Sequence, residues 1–197
     1  MKDRMVNRIL FGLALATLLS LSTTTMAGYD IQVNAVADFL KDIIVVAVVP
    51  ATCPPHANCI SAEADLVEEL QKYTKFAIVP PDRVRQTMLE AGMKQIDDAT
   101  RVDLAERLHA DTFLLPVVTE SGTESQGAVG VWSGSVMTMV DSQVSKGGVQ
   151  LTLIASKSGK VLMQAAGFGE SEWRAKKGVL RKVFQSILTK VLGPPTK

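Results

Sequence analysis

The sequence predicts an α/β fold: a single three-layer-like domain in which a mixed β-sheet of about four to five strands is packed with helices. Three observations carry that expectation. Ile43 to Val49 is an unbroken, mostly β-branched apolar run closed by Pro50, the pattern of a strand buried on both faces. Strand-like and helix-like segments alternate from there to residue 118, the order of strand–helix–strand units with right-handed crossovers. The chain closes with a hairpin pattern and an amphipathic stretch that would cover the sheet.

The elements follow in order. Residues 28–42 read as a lead-in, and Ala35, Val36, Phe39, Leu40 and Ile43 recur at helical spacing, which predicts a short helix. After the 43–49 strand, Ser61 is the expected cap of a helix, with Glu63 and Asp65 in its first turn and Leu66, Val67, Leu70 and Tyr73 facing inward. Phe76 to Val79 is a short strand ended by Pro80 and Pro81. Asp82 to Ala91 is a helix with Val84, Met88 and Leu89 on one face and Gly92 as its stop. Asp97 or Asp98 caps another helix carrying Val102, Leu104, Ala105 and Leu108. Asp111 to Val118 is a strand, and Val149 to Ile154 pairs with Val161 to Phe168 around the Ser158, Gly159, Lys160 turn. Trp173 to Leu192 is the closing helix, apolar at Val179, Leu180, Val183, Phe184, Ile187, Leu188 and Val191.

The first 27 residues have the layout of a cleaved secretory signal. Lys2, Arg4 and Arg8 form a basic start, Ile9 to Leu21 an uncharged apolar run, and Thr25, Met26 and Ala27 a small-residue cleavage site. The run is shorter than the roughly 20 residues of a membrane span. The expected organisation is a signal peptide at 1–27, the lead-in at 28–42 and one domain at 43–192, located in the periplasm or associated with the outer membrane. Cys53 and Cys59 then read as a disulfide of an oxidising compartment. A metal site at Cys53, His56 and Cys59 is the alternative, and it lacks a fourth ligand.

No catalytic constellation is visible. Phosphate-binding, dinucleotide-binding, zinc-protease and nucleophile-elbow motifs are all missing. His56 lies in the cysteine loop, and His109 ends a helix where the dipole favours it. Glu68 and Glu69 read as a solvated helix face. The formal net charge of +1 provides no field for nucleic acid. The expectation is therefore a protein that is not an enzyme, with no cofactor and no catalytic or metal-binding residues.

Residues 119–146 are too long for an ordinary connection, where about 4–6 residues is typical. They read as a β-extension or mobile loop that contacts a partner. The competing reading is a membrane-inserting hairpin, which needs one apolar face and one polar face. Val129, Val131, Ser133, Ser135, Met137 and Met139 form one face and Gly130, Trp132, Gly134, Val136, Thr138 and Val140 the other, so both are mixed. Trp132, Val136, Met137 and Met139 are the candidate contacts here. Arg174, Lys177 and Arg181, on the basic face of the last helix, are further candidates toward an acidic partner or lipid head groups.

Several of these stretches resemble the CsgG, LpoB and TolB N-terminal group of periplasmic α/β modules. The likeness runs through Ile43–Pro50, Phe76–Val79, Val84, Met88, Leu89 and Gly92. It is best at Leu104–Asp111 followed by Thr112–Glu120, and returns at Val149–Ile154 and Ser158–Leu162. It covers about residues 43–190. The resemblance implies a role in envelope assembly or secretion through binding of other envelope proteins; self-association is a further mode, and the basic face of the last helix adds peripheral membrane contact. It also implies an alternative, a subunit of an oligomeric outer-membrane secretion pore. Two departures count against a complete pore subunit: no lipidation cysteine follows the apolar run, and only Gly169 to Glu172 separates the last strand from the last helix.

Overall fold

The computed structural model describes residues 29–36, 38–73, 76–133, 136–172 and 178–195, and within them the side chains outside 124–143 and 172. The expected signal peptide lies outside the described residues.

Six strands form one sheet: β1 (Tyr29–Ala35), β2 (Val45–Val48), β3 (Ala77–Val79), β4 (Thr112–Ser133), β5 (Val136–Ala155) and β6 (Val161–Glu172). Their order is β1-β6-β5-β4-β2-β3. β1, β6, β5 and β4 are antiparallel neighbours, while β2 runs parallel to both β4 and β3. Four helices complete the fold: α1 (Cys59–Gln71), α2 (Pro81–Glu90), α3 (Asp98–Leu108) and α4 (Val179–Leu192). They cover both faces, giving the predicted α/β layers.

One core lies between the sheet and α1 and α4. Val46, Val48, Leu114, Val149 and Leu151 meet Leu66, Leu70, Val183, Phe184 and Ile187 there. The second core lies between β2, β4 and the α2–α3 pair, where Ala47 and Phe113 meet Val84, Leu104 and Leu108. β2 divides between the two as its side chains alternate, which is why Val45–Val48 is apolar throughout; Ile44, just ahead of it, is 70% exposed, against the expectation for the 43–49 run. Gly167 on β6 lets α4 approach closely: a Cβ there would stand 2.7 Å from Val183 and 2.7 Å from Ile31.

The lead-in departs from expectation. Residues 29–35 are a strand paired along β6, and 38–42 are turns, where a short helix was predicted. Tyr29, Ile31 and Val33 are half-buried while Asp30, Gln32 and Asn34 are exposed. This period of two, with β6 available to pair, prevails over the helical spacing. Asn58, rather than Ser61, caps α1, accepting a hydrogen bond from the Ser61 N–H at 3.1 Å. Glu63 is consequently past the first turn and buried, not a solvated dipole partner. Leu89 and Val102 turn outward, against expectation, at 74% and 37% exposed. Asp97 caps α3 in a capping box with Thr100, and Gly92 ends the turn after α2 at φ 68°.

Asp111 ties the sheet together ahead of β4. Its carboxylate accepts from the Ile44 and Val45 N–H groups at 3.0 and 2.8 Å, fixing the start of β2.

Candidate interaction surface

β4 and β5 pair continuously from Thr112 opposite Ala155 to Ser133 opposite Val136. The predicted β-extension is thus a hairpin ribbon continuous with the sheet. Its register shifts at Val118/Glu120 and Ser125/Gly127 mark bulges, which bend and twist a strand as it leaves a sheet. β2 accompanies β4 to Leu114, with one more bridge at Thr52 and Val117. β6 accompanies β5 to Val144, opposite Glu172. Beyond those points the ribbon is two-stranded among the described residues, and each strand keeps a row of outward N–H and C=O groups with no strand against it.

The backbone register places Trp132 opposite Met137, Gly130 opposite Met139 and Ser133 opposite Val136. The four apolar candidates therefore gather toward the far end of the ribbon, and their side chains lie outside those described. Arg174 and Lys177 also lie outside the described residues. Arg181, in the first turn of α4, turns to α1. Its Nε donates to Glu69 Oε1 at 2.6 Å and its Nη2 pairs with Glu68.

That contact corrects the reading of Glu69 as solvated: its side chain is 1% exposed. Burial alone would raise its carboxyl. Hydrogen bonds from Lys72 and Arg181 outweigh that, and it sits below the ordinary glutamate value. Nearby, Asp65 is raised above the ordinary aspartate value. Burial is the main cause, and Glu68 and Glu69 add to it against the opposing effect of Arg181. Asp65 lines a polar cleft of about 550 Å³ at the root of the ribbon, with Asn58, Ser61, Ser121, Thr123 and Arg181.

Cys53 and Cys59 form a disulfide, with Cα atoms 5.9 Å apart, which takes both sulfurs from the alternative metal site. The bridged loop joins the end of β2 to α1. Glu63 holds it to the body: its Oε1 accepts from the Ala51 N–H at 2.8 Å, and Arg85 pairs with its Oε2 at 3.0 Å. His56 is exposed on that loop, and His109 is the left-handed C-cap of α3 at φ 51°. Among the described residues no three His, Cys, Asp or Glu side chains are grouped to hold a metal ion. No helix among them is long and apolar enough to cross a membrane, which leaves strand-built crossings untouched.

Sequence reasoning missed Glu63, Glu69 and Asp111 as tethers. The alternation at 29–34 was the available signal for β1.

The fold and ribbon define an α/β domain with a long two-stranded projection. No family model matches the chain, and no curated protein sequence does. Solved structures do. The PelC dodecamer from Paraburkholderia phytofirmans is similar at a TM-score of 0.54 and 14% identity, over 85% of this chain and 99% of that one. Lipoprotein GNA1162 from Neisseria meningitidis is similar at 0.52 and 18%, over 77% of this chain and 99% of that one. The LpoB C-terminal domain from Escherichia coli matches more loosely, at 0.42 and 14%, over 65% and 82%. At these identities PelC and GNA1162 share the fold.

Proposed function

We propose that this chain is a non-enzymatic envelope protein, exported through residues 1–27, that acts by binding other proteins of the cell envelope. The observation that carries this reading is the ribbon. An isolated two-stranded ribbon is marginally stable in water. Two open edges are a template on which another chain adds a strand. Trp132, Val136, Met137 and Met139 are the proposed contacts near its end, with Arg174, Lys177 and Arg181 as further proposed contacts. The disulfide suits an oxidising compartment, and the fold is shared with a lipoprotein.

A photo-reactive residue at position 132, used in intact cells, tests it. A discrete adduct with another envelope protein is expected from 132 and not from a control at exposed Gln86 on α2. Equal labelling from both positions, or no adduct from 132, would overturn the reading.

The second reading is a subunit of an oligomeric outer-membrane secretion pore, as the CsgG resemblance implies. Ribbon length favours it: β4 continues from Val118 to Ser133, longer than the roughly 9–11 residues of a membrane-crossing strand. The similar PelC fold occurs as a dodecamer. This reading predicts that the 132 adduct is a multiple of the chain itself and needs detergent for release from the membrane fraction.

A further inference from the structure

Among the described residues the sheet face turned away from α4 is covered only in part. α2 and α3 pack over the β2 and β4 side of it, burying Ala47 and Phe113. Across β5, β6 and β1 the same face holds a shallow trough of about 420 Å³, lined by Gln32, Asn34, Gln150, Thr152, Gln164 and Ala166. The register explains its shape. Gln32 stands opposite Ala166, and Ala166 opposite Gln150; Asn34 stands opposite Gln164, and Gln164 opposite Thr152. Neighbouring strands lie about 4.8 Å apart. Small Ala166 is therefore a floor with a carboxamide on each side, Gln164 toward one end and half-buried Phe168 toward the other.

The four carboxamides are exposed. Among the described residues none of them takes part in an intramolecular hydrogen bond. Among the described residues no charged side chain lines the trough; Asp30, opposite Phe168 at its edge, is the nearest of their charges in register. The rest of the surface is different, with ion pairs on every helix, among them Arg85–Asp82, Arg101–Asp98, Arg107–Asp103 and Arg181–Glu68.

We propose that this trough binds an uncharged glycan chain. Each carboxamide offers two N–H donors and a carbonyl acceptor, which matches hydroxyl and N-acetyl groups that likewise donate and accept. A phosphorylated or acidic polymer would leave its charge without a cation in the lining, at a desolvation cost. A lipid chain or an apolar helix would bury the amides with their hydrogen bonds unmade. Phe168 adds an apolar surface for a sugar face. The inference is independent of the partner-binding reading of the ribbon.

Titration of the ¹⁵N-labelled chain with chitohexaose, and separately with an acidic oligogalacturonate, tests it. The neutral oligomer is expected to shift amides of β1, β6 and β5 around Ala166, and the acidic one to leave them unmoved. Joint Gln32→Ala, Gln150→Ala and Gln164→Ala substitution removes about one hydrogen bond each and is expected to weaken binding at least about tenfold. Ala166→Arg, which fills the floor, is expected to abolish binding while the remaining spectrum shows an intact fold. Unmoved trough amides with chitohexaose, equal binding of both oligomers, or full affinity in Ala166→Arg would overturn the proposal. Shifts at these residues that track protein concentration without sugar would identify a contact between copies, and would overturn it too.

Discussion

Gly167→Ala is expected to loosen the contact that holds α4 on the sheet. An added Cβ would meet Val183 Cγ1 and Ile31 Cδ1 at 2.7 Å each and Ile187 Cδ1 at 3.0 Å. Val183 and Ile187 are fully buried, at 0% exposed, so α4 has no empty space to rotate into. Three methyl groups must move by several tenths of an ångström at once. Overpacking of this kind costs about 1–3 kcal/mol. A central value of about 2 kcal/mol lowers the melting temperature by about 4–8 °C in a chain of this length. The control is Gly122→Ala on the ribbon side of β4, where nothing lies within 4 Å of the added carbon. It is expected to stay within about 0.5 kcal/mol of the parent. Thermal and urea unfolding of the two variants, followed by circular dichroism, read the difference directly. Equal stability of Gly167→Ala and the parent, or a matching loss in Gly122→Ala, would refute the close packing of α4 on β6.

Three further outcomes follow from the same structure. Replacing Cys53 and Cys59 together with Ala opens a small loop, so the loss in urea unfolding should fall at the low end, about 2 kcal/mol. Glu63→Ala leaves the Ala51 N–H and Arg85 without their carboxylate, and is expected to cost about 1–3 kcal/mol by the same measurement. Glu69 is held below its ordinary value, so its contribution to stability is present at neutral pH. That contribution is lost as pH falls through the ordinary glutamate range and then through the lowered folded value. Glu69→Gln should therefore flatten the acid side of a stability-against-pH curve, and an unchanged acid slope would count against the Lys72 and Arg181 contacts.

What the sequence revealed and what it hid have physical causes. β2 and the stripe of α4 are legible because Val45–Val48 packs on both faces and α4 on its inner face, although Ile44 just ahead of β2 is exposed. Local spacing was enough for the disulfide. β1 was masked because helical spacing at 35–43 abuts a brief alternation at 29–34, and only pairing with β6 decides between them. Glu69 looks solvated on its own helix, since the arginine that buries it comes 112 residues later. The ribbon has a mixed pattern on both faces, so the length of the stretch revealed an extension without its register. That register is set by the β4–β5 pairing continuing outward from Thr112 and Ala155. The polar trough stayed hidden for a related reason: its four amides come from three separate strands that only the β1-β6-β5 order brings together.

The most direct test of the ribbon's role is the size of the complex that carries the chain in gently solubilised envelopes. It should be measured for the full chain and for a variant with residues 125–143 replaced by a two-residue Asn-Gly turn, which joins Glu124 to its partner Val144 and retains both packed cores. The account predicts that the full chain runs in an assembly larger than itself while the shortened chain runs alone and folded. Co-migration of both in the same assembly would contradict it.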